Sequence, residues 1–141
     1  METIELNLLS TNSALLPARL VIEELSDDQE SQVHITLSWA AESLTVESHA
    51  EFFALCELRQ KLQETGLSPL CFGAAENVYP SGMSLSMSGG RMAYRMTPGK
   101  QARMQDLVDI FDTEPDLVPV TVEAQKAFFE RWLEGDKVPW D

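Results

Sequence analysis

The chain has 141 residues, of which 44% are hydrophobic and 23% charged, and its formal net charge at pH 7 is −13. This length and composition predict a single domain, residues 1–141, and exclude a fibrous or wholly disordered chain. A polyanion repels nucleic-acid phosphates and anionic membrane surfaces, so we expect neither as a partner. The N-terminal segment is acidic and no apolar run is long enough to span a membrane, so we expect a cytoplasmic protein.

The first half of the chain predicts four antiparallel strands joined as a meander. Apolar residues alternate with polar ones in four segments, and this period of two buries one face of a sheet. The segments are residues 4–8, 20–22, 33–39 and 44–46. Polar residues 26–31 predict the turn between the second and third strands, and residues 40–43 close the next hairpin.

A helix is predicted to follow, because Ser48 and Glu51 have the spacing of a capping box. The helix carries an apolar stripe at three- and four-residue spacing, and Gly66 is placed to end it. The stripe consists of Phe52, Leu55, Leu58 and Leu62.

Residues 67–99 predict a long loop interrupted by short strands. Residues 69–72 and 91–96 have strand character, the second with Met92, Tyr94 and Met96 on one face. Between them, residues 79–90 are rich in serine, glycine and methionine and follow no clean period, which indicates a loop.

The last third predicts at least one helix. Residues 100–111 fit a helix and a short strand equally well. Thr121 is a predicted N-cap, Gly135 ends the helix, and residues 136–141 are expected to fray. The residues predicted to be buried on this helix are Phe128, Phe129, Trp132 and Leu133. The order of elements predicts an α+β fold: an antiparallel meander sheet with two or three helices packed on one face.

Charge is distributed unevenly along the chain. Residues 77–105 contain no acid and four bases, whereas residues 1–76 carry a net charge of −10 and residues 106–141 a net charge of −7. Five of the six methionines lie between positions 83 and 104. Methionine, tyrosine and arginine are frequent at adaptable binding surfaces, so this window is a candidate partner-binding face; the alternative is a methionine-filled corner of the core. The candidate residues are Tyr79, Met83, Met87, Arg91, Tyr94 and Arg95.

Acidic residues after position 105 form a second candidate surface. They are interpreted either as a solvated acidic loop or as a docking patch for basic side chains. The candidate residues are Asp106, Asp109, Asp112, Glu114 and Asp116.

Motifs for catalysis are incomplete. The segment 82–86 begins like a nucleophile elbow but lacks its final glycine, and the histidines His34 and His49 are not placed as bases. Cys56 and Cys71 lack metal-site spacing and are expected to be free thiols. We therefore expect no enzyme activity, no cofactor and no metal.

Four segments carry a resemblance to a known family. They are residues 79–83, 89–94, 107–113 and 128–133. They resemble a family of small, uncharacterised bacterial proteins, which is loosely similar to the immunity proteins that neutralise secreted antibacterial toxins. The resemblance covers roughly the C-terminal half of the chain. It implies binding of a toxin domain and supplies no catalytic residues.

These features predict a non-catalytic binding protein, specifically a cytoplasmic immunity protein that is a monomer or a homodimer. One alternative is a ligand-binding domain or enzyme in which residues 77–105 form a lid over an anionic small molecule. Its positive groups would be Arg91, Arg95, Lys100 and Arg103. A third reading is an adaptor or chaperone of a secretion system.

Overall fold

A five-stranded antiparallel sheet is built from the N-terminal half of the chain. Its strands are β1 (Glu2–Ser10), β2 (Leu15–Ser26), β3 (Ser31–Trp39), β4 (Glu42–Ser48) and β5 (Leu67–Pro69). Their order in the sheet is β4-β3-β2-β1-β5, so the first four strands form the predicted meander. The computed structural model describes residues 1–26 and 31–140; the predicted turn at residues 26–31 therefore lies mostly outside the described residues.

One face of this sheet is buried, as the alternation predicts. Its most buried residues come from the three central strands and from the helix that packs on them. They include Leu8, Leu20, Ile35, Leu37, Phe52, Leu55, Leu58 and Leu62.

Helix α1 (Glu51–Gln63) packs on that face, but the predicted capping box is wrong. Ser48 is the last residue of β4, and the N-cap is Ala50, which makes no side-chain cap hydrogen bond. The N–H of Phe52 instead donates to the carbonyl of Gly89 at 3.0 Å. A distant segment thus satisfies an amide that local capping leaves unpaired.

The second half of the chain forms a smaller sheet and two further helices. These elements are β6 (Val78–Tyr79), α2 (Gly82–Ser88), β7 (Met92–Arg95), β8 (Leu107–Asp109) and α3 (Val122–Glu134). The three strands pair in the order β6-β7-β8 and are antiparallel. Short 3-10 turns cover Phe72–Ala74 and Met104–Asp106. The fold is α+β, as predicted.

The structure corrects the prediction for residues 79–90, which are not all loop. Ser81 begins α2 by accepting a hydrogen bond from the N–H of Ser84 at 3.0 Å, and Gly89 ends it in the left-handed conformation. The helix has no fully buried residue, so its sequence carries no apolar stripe that would distinguish it from a loop.

The strand predictions in this half also need correction. The first short strand after α1 is β5 (Leu67–Pro69), whereas residues 69–72 were predicted. In β7 the buried residue is Ala93, whereas Met92 is exposed and Tyr94 half-buried. Within residues 100–111, a 3-10 turn followed by β8 replaces the helix alternative.

Helix α3 has the predicted ends but not the predicted core residues. Thr121 Oγ1 accepts from the N–H of Ala124 at 3.1 Å, and Gly135 is the C-cap. Its buried residue is Gln125; Leu133 is 52% exposed, and the remaining three predicted core residues are half-buried. The fully buried contact of this helix is therefore made by a polar side chain, and its aromatic residues are only half-buried.

The segment after α3 is held by hydrogen bonds to residues 99–101. The N–H of Val138 donates to the carbonyl of Gly99, and the N–H of Gln101 donates to the carbonyl of Val138. Trp140 Nε1 donates to the carbonyl of Gln101 at 2.8 Å.

A buried arginine joins α1 to the second half of the chain. Arg59 is 4% exposed. Its Nη1 donates to the carbonyl of Gly73 at 2.9 Å and to Gln125 Oε1 at 2.6 Å, and its Nη2 donates to the carbonyl of Val120 at 2.8 Å. The guanidinium therefore fixes α3 and the segment before it onto α1.

Gln125 completes this network and is fully buried. Its Nε2 lies 2.9 Å from the carbonyl oxygens of Gly73 and Ala75 and 2.8 Å from that of Val78. One amide thus satisfies carbonyls of the irregular segment 73–78, where strand pairing is short.

Replacing Gln125 with leucine keeps the volume and removes these hydrogen bonds. We expect Gln125→Leu to lower the free energy of unfolding by about 3 kcal/mol, because buried carbonyls and one guanidinium N–H lose their partner. Urea unfolding measures this, with Lys126→Leu, an exposed site on the same helix, as the matched control. Equal midpoints for the two variants would contradict the role assigned to Gln125.

Gly90 lies where the second half of the chain meets α1. Its φ is +79°, and a Cβ there would lie 2.6 Å from Phe52 Cβ. We expect Gly90→Ala to cost about 2 kcal/mol or more, from backbone strain and overpacking. Gly82→Ala is the control, since a Cβ at that position meets nothing within 4 Å; thermal unfolding should rank Gly90→Ala well below it.

Candidate functional site

The loop of residues 112–118, here called the acidic loop, is exposed to solvent along most of its length. Asp112, Glu114 and Asp116 are all exposed, and Val118 is 71% exposed. Asp116 has a φ of +65°, in the left-handed region that aspartate and asparagine tolerate better than most residues. Leu117 is half-buried and packs against the core, which holds the loop in place.

Two grooves flank the acidic loop. The first groove has a volume of about 460 Å³ and the second a volume of about 480 Å³. Both are lined by Glu114, Asp116 and Leu117, so they lie on either side of the same loop. Other lining residues of the first groove include Glu76, Met96, Val120 and Phe128; those of the second include Glu5, Asn7 and Leu70. Each groove therefore combines apolar walls with carboxylates.

A smaller aromatic pocket continues the first groove along α3. It has a volume of about 220 Å³ and shares Pro98 and Phe128 with the first groove. Trp132, whose Nε1 donates to the carbonyl of Thr97 at 3.1 Å, is also part of its lining. The second groove and the first groove share residues of the acidic loop, and the first groove shares Pro98 and Phe128 with the aromatic pocket; the three adjoining concavities are together called the track.

Residues 77–105, which contain four bases and no acid, are here called the basic window. The three arginines of the basic window are paired within the protein. Arg91 Nη2 lies 2.7 Å from Glu2, Nε lies 2.8 Å from Asp109, and Nη1 lies 3.4 Å from Glu51. The guanidinium also stacks over the ring of Phe111, 5.0 Å from its centroid. Arg91 is the junction of β1, α1 and β8.

The pKa values of Arg91 and its acidic partners are shifted by burial and by their contacts with one another. The hydrogen bonds from Arg91 lower the pKa of Glu2, and those carboxylates raise the pKa of Arg91. Burial raises the pKa of Glu51, and Arg91 opposes that shift. The charged form of Glu51 is therefore destabilised by burial and stabilised by Arg91.

The other two arginines of the window have internal partners as well. Arg103 binds Asp106 at 3.0 Å, which lowers the pKa of that carboxyl, and lies over the ring of Trp140 at 3.7 Å. Arg95 lies 3.5 Å from Glu114 and 4.8 Å from the centroid of the Phe72 ring.

The predicted acidic set is divided by these ion pairs. Asp106 and Asp109 are half-buried and bound to arginines, whereas Asp112, Glu114 and Asp116 remain exposed in the acidic loop. Of the exposed three, Glu114 is the one that contacts an arginine in the described chain.

The predicted methionine and tyrosine residues do not form one surface. Met83 and Met87 are 72% and 79% exposed on α2. Tyr79 is half-buried and stacks on Phe129 with ring centroids 4.1 Å apart, and Tyr94 pairs with it across β6 and β7. The methionines of the window are mainly at the surface, apart from the buried Met96.

Several track residues were missed in the sequence because their signal was assigned to the core. Phe128 and Trp132 were predicted as buried residues of the last helix, yet they line open concavities. Glu76 and Asn77 had no signal beyond their polarity.

Cys56 and Cys71 are free, and burial raises the pKa of Cys71 to about 11.

Comparisons with known proteins find no family model that matches the chain and no matching curated protein. Among residues 1–26 and 31–140, no group of three histidine, cysteine or acidic side chains is arranged to hold a metal ion. In the same part of the chain, no helix is both long enough and apolar enough to cross a bilayer.

Removing Arg91 should destabilise the protein in a pH-dependent way. In Arg91→Ala the buried Glu51 loses its cation, and a carboxyl with a raised pKa loses stability as pH rises through that pKa. Glu2 acts in the same direction: its lowered pKa stabilises the wild type above the usual value of 4.5, and the variant lacks this. We expect a deficit of about 2 kcal/mol at about pH 7 that shrinks towards about pH 3.

Urea unfolding of wild type and variant across this pH range measures the deficit. The double variant Arg91→Ala/Glu51→Gln should recover part of the stability at neutral pH, since the buried charge is gone. A deficit that grows on acidification would overturn this assignment.

Proposed function

We propose that the protein is a non-catalytic binding protein, specifically an immunity protein that neutralises a secreted antibacterial toxin with a basic surface. The observation that carries the proposal is the contrast between the exposed acids of the acidic loop and the internally paired arginines. The exposed carboxylates of the acidic loop therefore line a concave surface, in a chain whose net charge is −13.

Electrostatics gives such a surface a role in fast capture. An acidic face attracts a basic partner over a distance of about a Debye length and accelerates their encounter. Toxins that cleave nucleic acids need a basic surface to hold the phosphate backbone. An acidic protein that covers that surface blocks access of the nucleic acid.

A small-anion site beneath residues 77–105 has less support. Arg91, Arg95 and Arg103 already lie near carboxylates, so an anion would have to displace an ion pair at each of them. The first groove is lined by Glu76, Glu114 and Asp116, which repel an anion.

The test begins with purification of the tagged protein from its native host. We expect one basic protein bound in stoichiometric amount. Expressed alone in a bacterial culture it should stop growth, and co-expression with this chain should restore growth. Raising the salt concentration from about 0.05 M to about 0.5 M should weaken the purified complex about tenfold or more, because steering is screened.

Two results would contradict the proposal. A bound protein that is harmless when expressed alone would exclude the immunity function. An affinity that does not change with salt would exclude the electrostatic basis. A co-purifying small anion without a protein would favour the ligand-binding alternative.

A further inference from the structure

We infer that the track is the docking site for an extended segment of the partner, with basic side chains in the two acidic grooves and an apolar side chain in the aromatic pocket. This inference rests on the proposed function, since it names the part of the partner that the acidic face would recognise.

Continuity of the track is the first step. The two grooves share Glu114, Asp116 and Leu117, and the first groove and the aromatic pocket share Pro98 and Phe128. A single segment that crosses the acidic loop can therefore reach all three adjoining concavities in succession, from the β1 side of the loop to the end of α3.

The lining chemistry selects basic side chains for the grooves, because Asp116, which lines both, has no ion pair among the described residues, whereas Glu5 and Glu114 are bound to arginines. Lysine and arginine have a long apolar stem and a charged tip. In the first groove, Met96, Leu117 and Val120 can cover the stem, while Glu76 and Asp116 can bind the tip. An acidic segment would be repelled, and a short polar one would leave the apolar walls uncovered.

The chemistry changes at the far end of the track. The aromatic pocket is lined by Pro98, Phe128 and Trp132, with Arg131 beside them and no carboxylate residue in its lining. An aromatic or large aliphatic side chain fits this surface. The order of chemistry along the segment is therefore basic, basic, apolar.

An extended conformation matches this order. Alternate residues of an extended chain point to the same side, so every second residue can enter the track. A second copy of this chain is a poor occupant, because two molecules of charge −13 repel each other.

The experiment titrates capped synthetic peptides into the full-length, isotope-labelled protein and follows backbone amide signals by NMR. The probe is Lys-Thr-Lys-Thr-Phe, together with the same residues in reverse order. We expect shifts at Asn77, Leu117, Phe128 and Trp132 with one of the two orders. Signals of β3 and β4 should not move.

Two control peptides test the two kinds of contact. Replacing every lysine with glutamate should abolish the shifts. Replacing phenylalanine with alanine should weaken binding about tenfold, because the apolar contact is lost.

Matched protein variants test the carboxylates. Glu76→Gln/Asp116→Asn should weaken peptide binding about fivefold, since each exposed ion pair contributes modestly. Asparagine also tolerates the left-handed backbone at position 116. Glu23→Gln/Glu57→Gln removes the same charge from exposed sites outside the track and should leave binding unchanged.

The outcomes separate this inference from the proposed function. Equal weakening by both double variants, shifts confined to other surfaces, or concentration-dependent shifts without peptide would overturn the docking site. If a toxin is captured and its affinity is indifferent to Glu76→Gln/Asp116→Asn, the docking site is wrong and the immunity function stands. If the peptides bind the track and the native partner is harmless, the docking site stands and the immunity function is wrong.

Discussion

The guanidinium of Arg59 is the constraint on which the arrangement of the second half of the chain depends. Its hydrogen-bond partners in the described chain are two carbonyl oxygens and the amide of Gln125, all neutral. Burial lowers its pKa, and these neutral acceptors replace the hydration that the buried charge loses. Because the partners come from residues 73, 120 and 125, one buried charge aligns three segments that have little regular pairing of their own.

A polar anchor of this kind also explains the surface of α3. A helix held by an apolar stripe would bury its aromatic residues. Here Gln125 makes the central contact, and Phe129 is fixed by stacking on Tyr79. Phe128 and Trp132 are left to line the track beside the acidic loop. The same network that stabilises the fold therefore shapes the concave face on which the proposed function rests.

The parts of the fold that follow from short-range patterns could be predicted from the sequence. Alternation located the four strands of the meander, the apolar stripe located α1, and Thr121 and Gly135 marked the ends of α3. Helix α2 was missed because none of its residues is fully buried and Leu85 is its one apolar residue packed against the core, so its Ser81 and Gly89 caps had no periodicity to support them. The core of α3 was assigned wrongly because an apolar pattern does not reveal that a glutamine makes the buried contact.

The candidate site was predictable only in part, for a related reason. The acidity of residues 112–116 is visible in the sequence, but ion pairing depends on residues far apart in the chain. Arg91 meets Glu2 and Glu51 only after folding, so its charge is paired with acids from distant parts of the sequence. The grooves likewise require β1, the acidic loop and α3 to come together.

The central claim is electrostatic: ion pairs hold the arginines of the basic window and leave the two grooves of the track negative. Paramagnetic relaxation of backbone amides by a cationic and by an anionic soluble radical measures the potential near each residue without a partner. The signals of Asn77 and Leu117 should relax faster with the cationic radical, and those of residues 91–95 should show no preference for the anionic one. Enrichment of the anionic radical at residues 91–103, with none of the cationic radical along the track, would contradict the claim and restore the anion-binding alternative.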